Sequence, residues 1–189
     1  MIILYFHLPD YMLPEYCIPT QTWMRQLENE GYRVIDVPTP INQDEMYKGY
    51  LDNWGIDDIL ICEQENVGTV ELIEEMKNCH HQFCASPCEI YPASLGFDRR
   101  MINMIDFVER DEGIEQKLYD MRYLNTREFV SGICGGGLSM IKKELQLKMD
   151  IKNNSFHHQN SDYTLSNLAR PYMPQGFHLH GLHENMKKF

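Results

Sequence analysis

Glu63 and Glu65 stand one residue apart in the stretch "DDILICEQEN", directly after the apolar run 59–62. Two carboxylates that close repel, so each raises the other's proton affinity unless a cation lies between them. A bound divalent metal would remove that cost. The same residues also fit a solvated turn after a strand, since short motifs of this kind recur by chance. A second group lies late in the chain, where His178, His180 and His183 fall within six positions. On a strand His178 and His180 would share a face, because side-chain direction repeats every two residues. They are candidate metal ligands; a polar chain end is the other reading.

Two further stretches could do chemistry. Cys79, Cys84 and Cys88 lie with His80 and His81 in "CHHQFCASPC". The Cys spacings lack the paired C-x-x-C of a zinc knuckle, so buried thiols on a strand are the better fit, with a zinc-stabilised, non-catalytic binding module as the rival. Gly135, Gly136 and Gly137 permit close backbone approach to a ligand, or simply a tight turn. They are not a phosphate loop, because the Gly-Lys-Ser/Thr ending is absent.

These residues need elements to hold them. Ile2–Phe6 reads as a strand, followed by a helix from Thr20 or Gln21 to Gly31 carrying Trp23, Met24 and Leu27. Tyr32–Val37 is a second strand, closing on Asp36 and Pro38, and a helix from about Gln43 to Trp54 stops at Gly55. Ile59–Cys62 is short, β-branched and apolar throughout, the pattern of a strand covered on both faces. Thr69 then opens a helix with Val70, Ile73 and Met76/Lys77 as its stripe. This alternation predicts an α/β fold, a mostly parallel sheet with helices on both faces. In such open sheets ligands bind beyond the carboxyl ends of the strands, where Glu63 and Glu65 fall.

Beyond Gln82 the pattern predicts a strand at Phe83–Pro87, helices at Arg99–Arg110 and Gly113–Met121, and a strand at Glu128–Ile133. A helix from about Leu138 follows the glycine turn, and another spans Tyr163–Leu168 with Ser161 or Asp162 near its start.

At 189 residues and 22.3 kDa, with 43% hydrophobic residues, the chain suits one domain with a sizeable core. A formal charge of -11 argues against loose, sequence-independent nucleic-acid binding, which needs many cations on one face. The first apolar run lacks a basic leader and is too short for a signal peptide or membrane span. A soluble, cytoplasmic protein with its six cysteines mostly reduced is expected.

A strand ending in acid-x-acid, a glycine turn, an acid at a helix start and late histidines together resemble the glycosyltransferases of the GT-A fold, in particular a compact viral and bacterial class. Glu63-Gln64-Glu65 stands where that class has Glu-His-Asp, and Cys79 to Cys84 matches its Cys-rich strand, with Phe83 for Trp. The resemblance implies one GT-A-like domain, with a nucleotide-binding half over 1–80 and an acceptor and metal half over 81–189. It implies sugar transfer from a nucleoside diphosphate sugar, such as a UDP-sugar, to an acceptor hydroxyl. Glu65 would be a metal ligand and Glu63 its donor-side neighbour. His183 or His180 would complete the metal shell, Asp162 would be the base, and Asp36 would meet the nucleoside. Oxygen ligands with one imidazole suit Mn²⁺ or Mg²⁺ better than zinc. A sugar, a small molecule or a modified base in viral DNA would serve as acceptor; a metal-dependent phosphoesterase is the other enzymatic reading.

Overall fold

The computed structural model describes residues 1–7, 14–38, 49–64, 66–90, 101–110, 113–120, 129–133, 137–149, 169–176 and 179–180. Its centre is a five-stranded sheet in the order β2-β1-β3-β10-β5. These strands are β1 (Ile2–His7), β2 (Arg33–Pro38), β3 (Ile59–Glu63), β5 (Phe83–Ala85) and β10 (Leu138–Ile141). β1 runs parallel to β2 and β3, whereas β10 is antiparallel to both β3 and β5. The sheet is therefore mostly parallel, with one reversed strand inserted.

Both faces are covered, which is why the strands are apolar throughout rather than alternating. On one face Ile3, Tyr5, Leu60 and Cys62 pack against Trp23, Met24 and Leu27 of α1 (Pro14–Asn29) and Leu72, Ile73 and Met76 of α3 (Val70–Asn78). On the other, Ile2, Leu4, Phe6, Ile59 and Ile61 meet Tyr50 of α2 (residues 49–53) and Leu145 of α4 (Lys143–Lys148). Each such large apolar side chain contributes about 1.5–3 kcal/mol when fully buried.

Local signals explain the helix ends. Thr69 caps α3, its hydroxyl accepting from the Leu72 N–H at 3.2 Å. α1 closes at Gly31 (φ 88), where Gly31 N–H donates to Glu28 O and Tyr32 N–H to Leu27 O, both at 3.0 Å, a left-handed glycine cap. α1 starts at Pro14, before the expected Thr20, and holds Pro19 inside it. That proline forfeits one backbone hydrogen bond, and the buried Trp23–Leu27 face offsets the loss.

The second half departs from expectation. The segments expected as helices at 99–110 and 113–121 are strands, β7 (Met101–Arg110) and β8 (Gly113–Asp120), paired as an antiparallel hairpin. The apolar spacing of "MINMIDFVER" satisfies a helix, but its Ile, Phe and Val favour a strand, and Arg110 pairs with Gly113 across a two-residue connection. Two short strands flank β7: β6 (Glu89–Ile90) and β9 (Gly132–Ile133). The expected strand at 128–133 is thus only β9 with a bridge between Phe129 and Tyr172. Leu138–Ile141, expected to open a helix, is the buried strand β10, and α4 begins only at Lys143. Of the helix expected over 43–54, residues 49–53 are seen; the helix expected at Tyr163–Leu168 lies outside the described residues. Among the described residues, no helix is long and apolar enough to cross a membrane.

Acids at the amino end of β3 serve the fold. Asp57 pairs with the Met1 ammonium at 2.6 Å, and that contact chiefly holds its carboxyl below the ordinary range. Asp58 takes Lys142 at 3.0 Å and the Lys143 N–H at 2.8 Å. Beside them the fully buried Gln146 donates to Asp57 O and Ile141 O, both at 2.9 Å, and accepts from the Gly55 N–H at 2.7 Å.

Candidate functional site at the carboxyl edge

The carboxyl end of β3 is where sheet, turn and tail meet. Glu63 ends the strand, half-buried, opposite Phe6 of β1. Its N–H donates to Gly137 O at 3.3 Å. Gly137 sits at φ 47, in the left-handed region that favours glycine, so the last of the three glycines turns the chain into β10. One step further on, the Ser86 N–H bonds Leu138 O at 2.9 Å, bringing the end of β5 to the same edge.

Past Glu63 the chain forms β4 (Asn66–Val67), which pairs antiparallel with β11 (Leu179–His180). The register sets Leu179 opposite Val67 and His180 opposite Asn66. His180 and Asn66, more than a hundred residues apart in sequence, are thereby adjacent in space. Trp23 of α1 lies under the end of β4, since a Cβ placed on Gly68 would lie 3.0 Å from its ring.

Asn66 is completely buried, yet among the described residues neither atom of its carboxamide has a hydrogen-bond partner. Leaving a buried polar group unsatisfied costs about 1–3 kcal/mol. Sequence reading passed over Asn66, although a polar residue directly after the acid pair was a visible signal. An orphaned carboxamide at this edge fits a bound polar group.

Residues 172–176 are held by defined contacts. Tyr172 bridges Cys84 and Phe129, taking Phe83 O at 2.9 Å with its N–H and receiving the Ala85 N–H at 2.9 Å. The Gln175 and Gly176 N–H groups then donate to the two Glu75 oxygens on α3, at 2.9 and 3.2 Å. Glu75→Ala is expected to cost about 1 kcal/mol, below the usual value for hydrogen bonds to a charged group because these are partly exposed. It should also speed proteolytic cleavage after residue 176, which limited proteolysis followed by mass spectrometry will measure.

Of the other expected residues, Asp36 is exposed on β2, paired with Tyr5. That places it two strands from Glu63 and one residue short of its level, about 10 Å away. Glu65, Asp162, His178 and His183 lie outside the described residues, and His180 is described by its backbone alone. Among the described residues, no group of three His, Cys, Asp or Glu is placed to hold a metal ion. The zinc reading of Cys79, Cys84, Cys88 and His80 is thereby corrected: the Cys88 N–H turns to the Asn103 side chain at 2.9 Å, on β7, while Cys79 and Cys84 lie against α3 and β10.

No protein-family model matches the chain, and no curated protein matches it. Solved structures do. One is a putative glucose-1-phosphate thymidylyltransferase from Bacillus anthracis in complex with sucrose, with 9% identity and a TM-score of 0.45 over 98% of this chain and 73% of that one. HddC from Yersinia pseudotuberculosis shows 10% identity and a TM-score of 0.48 over 99% and 96%. The inositol-1-phosphate CTP transferase from T. maritima shows 5% identity and a TM-score of 0.48 over 95% and 88%. The first and third are named for nucleotidyl transfer, and none of the three is named as a glycosyltransferase.

Proposed function

We propose that this chain is a single-domain transferase that binds a nucleoside diphosphate sugar at the carboxyl edge of its sheet and passes the sugar to an acceptor hydroxyl. The β4–β11 pairing supports this reading, because it sets His180 opposite Asn66, the residue after Glu65, at the edge where open α/β sheets take ligands. The orphaned carboxamide of Asn66 adds a polar partner for the donor.

Glu65, with His180 or His183, would hold Mn²⁺ or Mg²⁺, as suits carboxylate and imidazole donors. When bound, the cation supplies positive charge to the departing diphosphate. Glu63 orients the donor, Asp36 meets the nucleoside, and Asp162 takes the proton from the acceptor hydroxyl. The acceptor class is a sugar, a small molecule or a modified base in DNA; an enzyme reading one flipped base needs only a small patch, which the overall charge permits.

Thermal shift with UDP-sugars, with and without Mn²⁺, tests the reading. A donor at about a hundred times its dissociation constant is expected to add roughly 2.7 kcal/mol of stability, and only with metal present. Absence of a shift with every nucleotide sugar plus Mn²⁺ would remove the transferase reading. An equal shift without metal would remove only the cation's role. Product analysis separates the chemistries: nucleoside diphosphate release marks sugar transfer, pyrophosphate release from a nucleoside triphosphate and a sugar phosphate marks nucleotidyl transfer, and phosphate release without a donor marks a phosphoesterase.

A further inference from the structure

The amino edge of the sheet, opposite the candidate site, holds a cavity of about 400 Å³. That volume lies within the usual range of small-molecule sites, about 300–1,000 Å³. The cavity opens beside Met1 and Tyr32, the residues that lead into β1 and β2, and next to the end of α1. Met1 and Val70 give it apolar walls, Tyr32 an aromatic one, and Glu30, Glu74 and Lys77 its charges. Gly31, which closes α1, borders open space: a Cβ built on it would meet nothing within 4 Å.

The lining is negative on balance. Glu74 accepts the Tyr32 hydroxyl and pairs with Lys77 at 3.2 Å, which leaves the exposed Glu30 carboxylate without a partner among the described residues. No basic side chain stands in the last turn of α1, so the carbonyl end of that helix faces the cavity with no cation of its own. The Tyr32 phenol responds to the same surroundings: burial first, then Glu74 and Glu30, push it up to about 12. Its ring nevertheless takes a cation. The Lys77 ammonium sits 5.3 Å from the ring centroid, inside the cation–π range of about 6 Å.

We propose that this cavity binds an aliphatic amine, its ammonium between Glu30 and the Tyr32 ring and its methylenes against Met1 and Val70. Lys77 supplies the argument for the class. It is itself a primary ammonium on an alkyl stem, and these walls already hold it through one carboxylate and one aromatic ring. A free amine would compete with Lys77 for Glu74 and the ring, and would gain in Glu30 a counter-ion that Lys77 leaves unused. None of these residues belongs to the carboxyl edge, so the site stands independently of sugar transfer there.

Calorimetric titration of the full-length chain with diaminobutane is the test, with butanediol as the uncharged control. The diamine is expected to bind saturably and more weakly as salt rises, and the diol to give no binding heat. Glu30→Gln and Tyr32→Leu should each weaken binding severalfold, the loss of one ion pair or one cation–π contact. Lys77→Met should tighten it, because the internal competitor is gone while the apolar stem remains. Lys148→Met makes the same charge change on exposed α4, away from the cavity, and should leave affinity as it was. Glu30 is a surface residue, so Glu30→Gln keeps the test open even if Tyr32→Leu fails to fold. Absence of saturable binding at millimolar diamine, equal binding of the diol, an unaffected Glu30→Gln, or a Lys77→Met no tighter than Lys148→Met would each overturn the proposal.

Discussion

Replacing Asp162 with asparagine is expected to lower turnover about a hundredfold to ten-thousandfold per folded molecule, the usual cost of removing a general base. Donor-dependent stabilisation should stay nearly intact, because such a base acts on the acceptor only during transfer. Glu65→Gln should behave in the opposite order: it keeps the shape, removes a charge, and loses metal affinity first and donor binding with it. The sequence also offers Asp162 as the cap of the helix expected after it, and a cap has a different signature, about 1 kcal/mol of stability with the rate per folded molecule retained. Melting temperature and turnover measured on the same preparation decide between base and cap. An unchanged rate per folded molecule would exclude Asp162 as base and direct attention to another acid or to a retaining mechanism.

Phe83→Ala should produce the largest loss of stability, about 3–5 kcal/mol. Phe83 is fully buried in the layer formed by Ile59, Ile141 and Leu145, and its carbonyl receives the Tyr172 N–H that starts the tail on its path to the site. For a chain of this size the loss corresponds to roughly 6–20 °C in Tm. Phe129→Ala is the control: that ring is 42% exposed and should change Tm by far less. Calorimetry on both variants checks the contrast. A shift of similar size in the two would mean that the 83–85 strand contributes no more than the surface.

The first half of the fold was legible because each element carries its own signal. The expected strands at Ile2–Phe6, Tyr32–Val37 and Ile59–Cys62 match β1, β2 and β3 to within a residue or so, since fully covered strands write themselves as short β-branched runs. Thr69 announced α3 through its hydroxyl. The second half was harder because two patterns coincide there. Pairs of apolar residues every third position in 101–108 satisfy a helix, and only the antiparallel partner β8 makes them a strand. Leu138–Ile141 is too short for either period to show, and its identity comes from lying between β3 and β5. The same reasoning applies to the candidate site. Glu63 was found from the strand it ends, whereas the β4–β11 contact rests on two residues a side, which leave no periodicity in the sequence. Asn66 was missed because its burial is a property of the fold and not of the residue type.

The reversed strand has a further consequence, for the growing chain. β3 is flanked on one side by β1, but its other side is filled only by β10, and β5 joins the sheet through β10 alone. From the moment residues 59–63 emerge until 138–141 follow, an apolar strand presents a bare row of N–H and C=O groups, the sort of template that draws in other chains. Asp57 and Asp58 precede that strand, Glu63 ends it and Glu65 follows in sequence. Like charges bracketing an open edge discourage two unfinished copies from pairing along it. Before Asp57 and Asp58 anchor the fold, these acids would keep nascent chains apart.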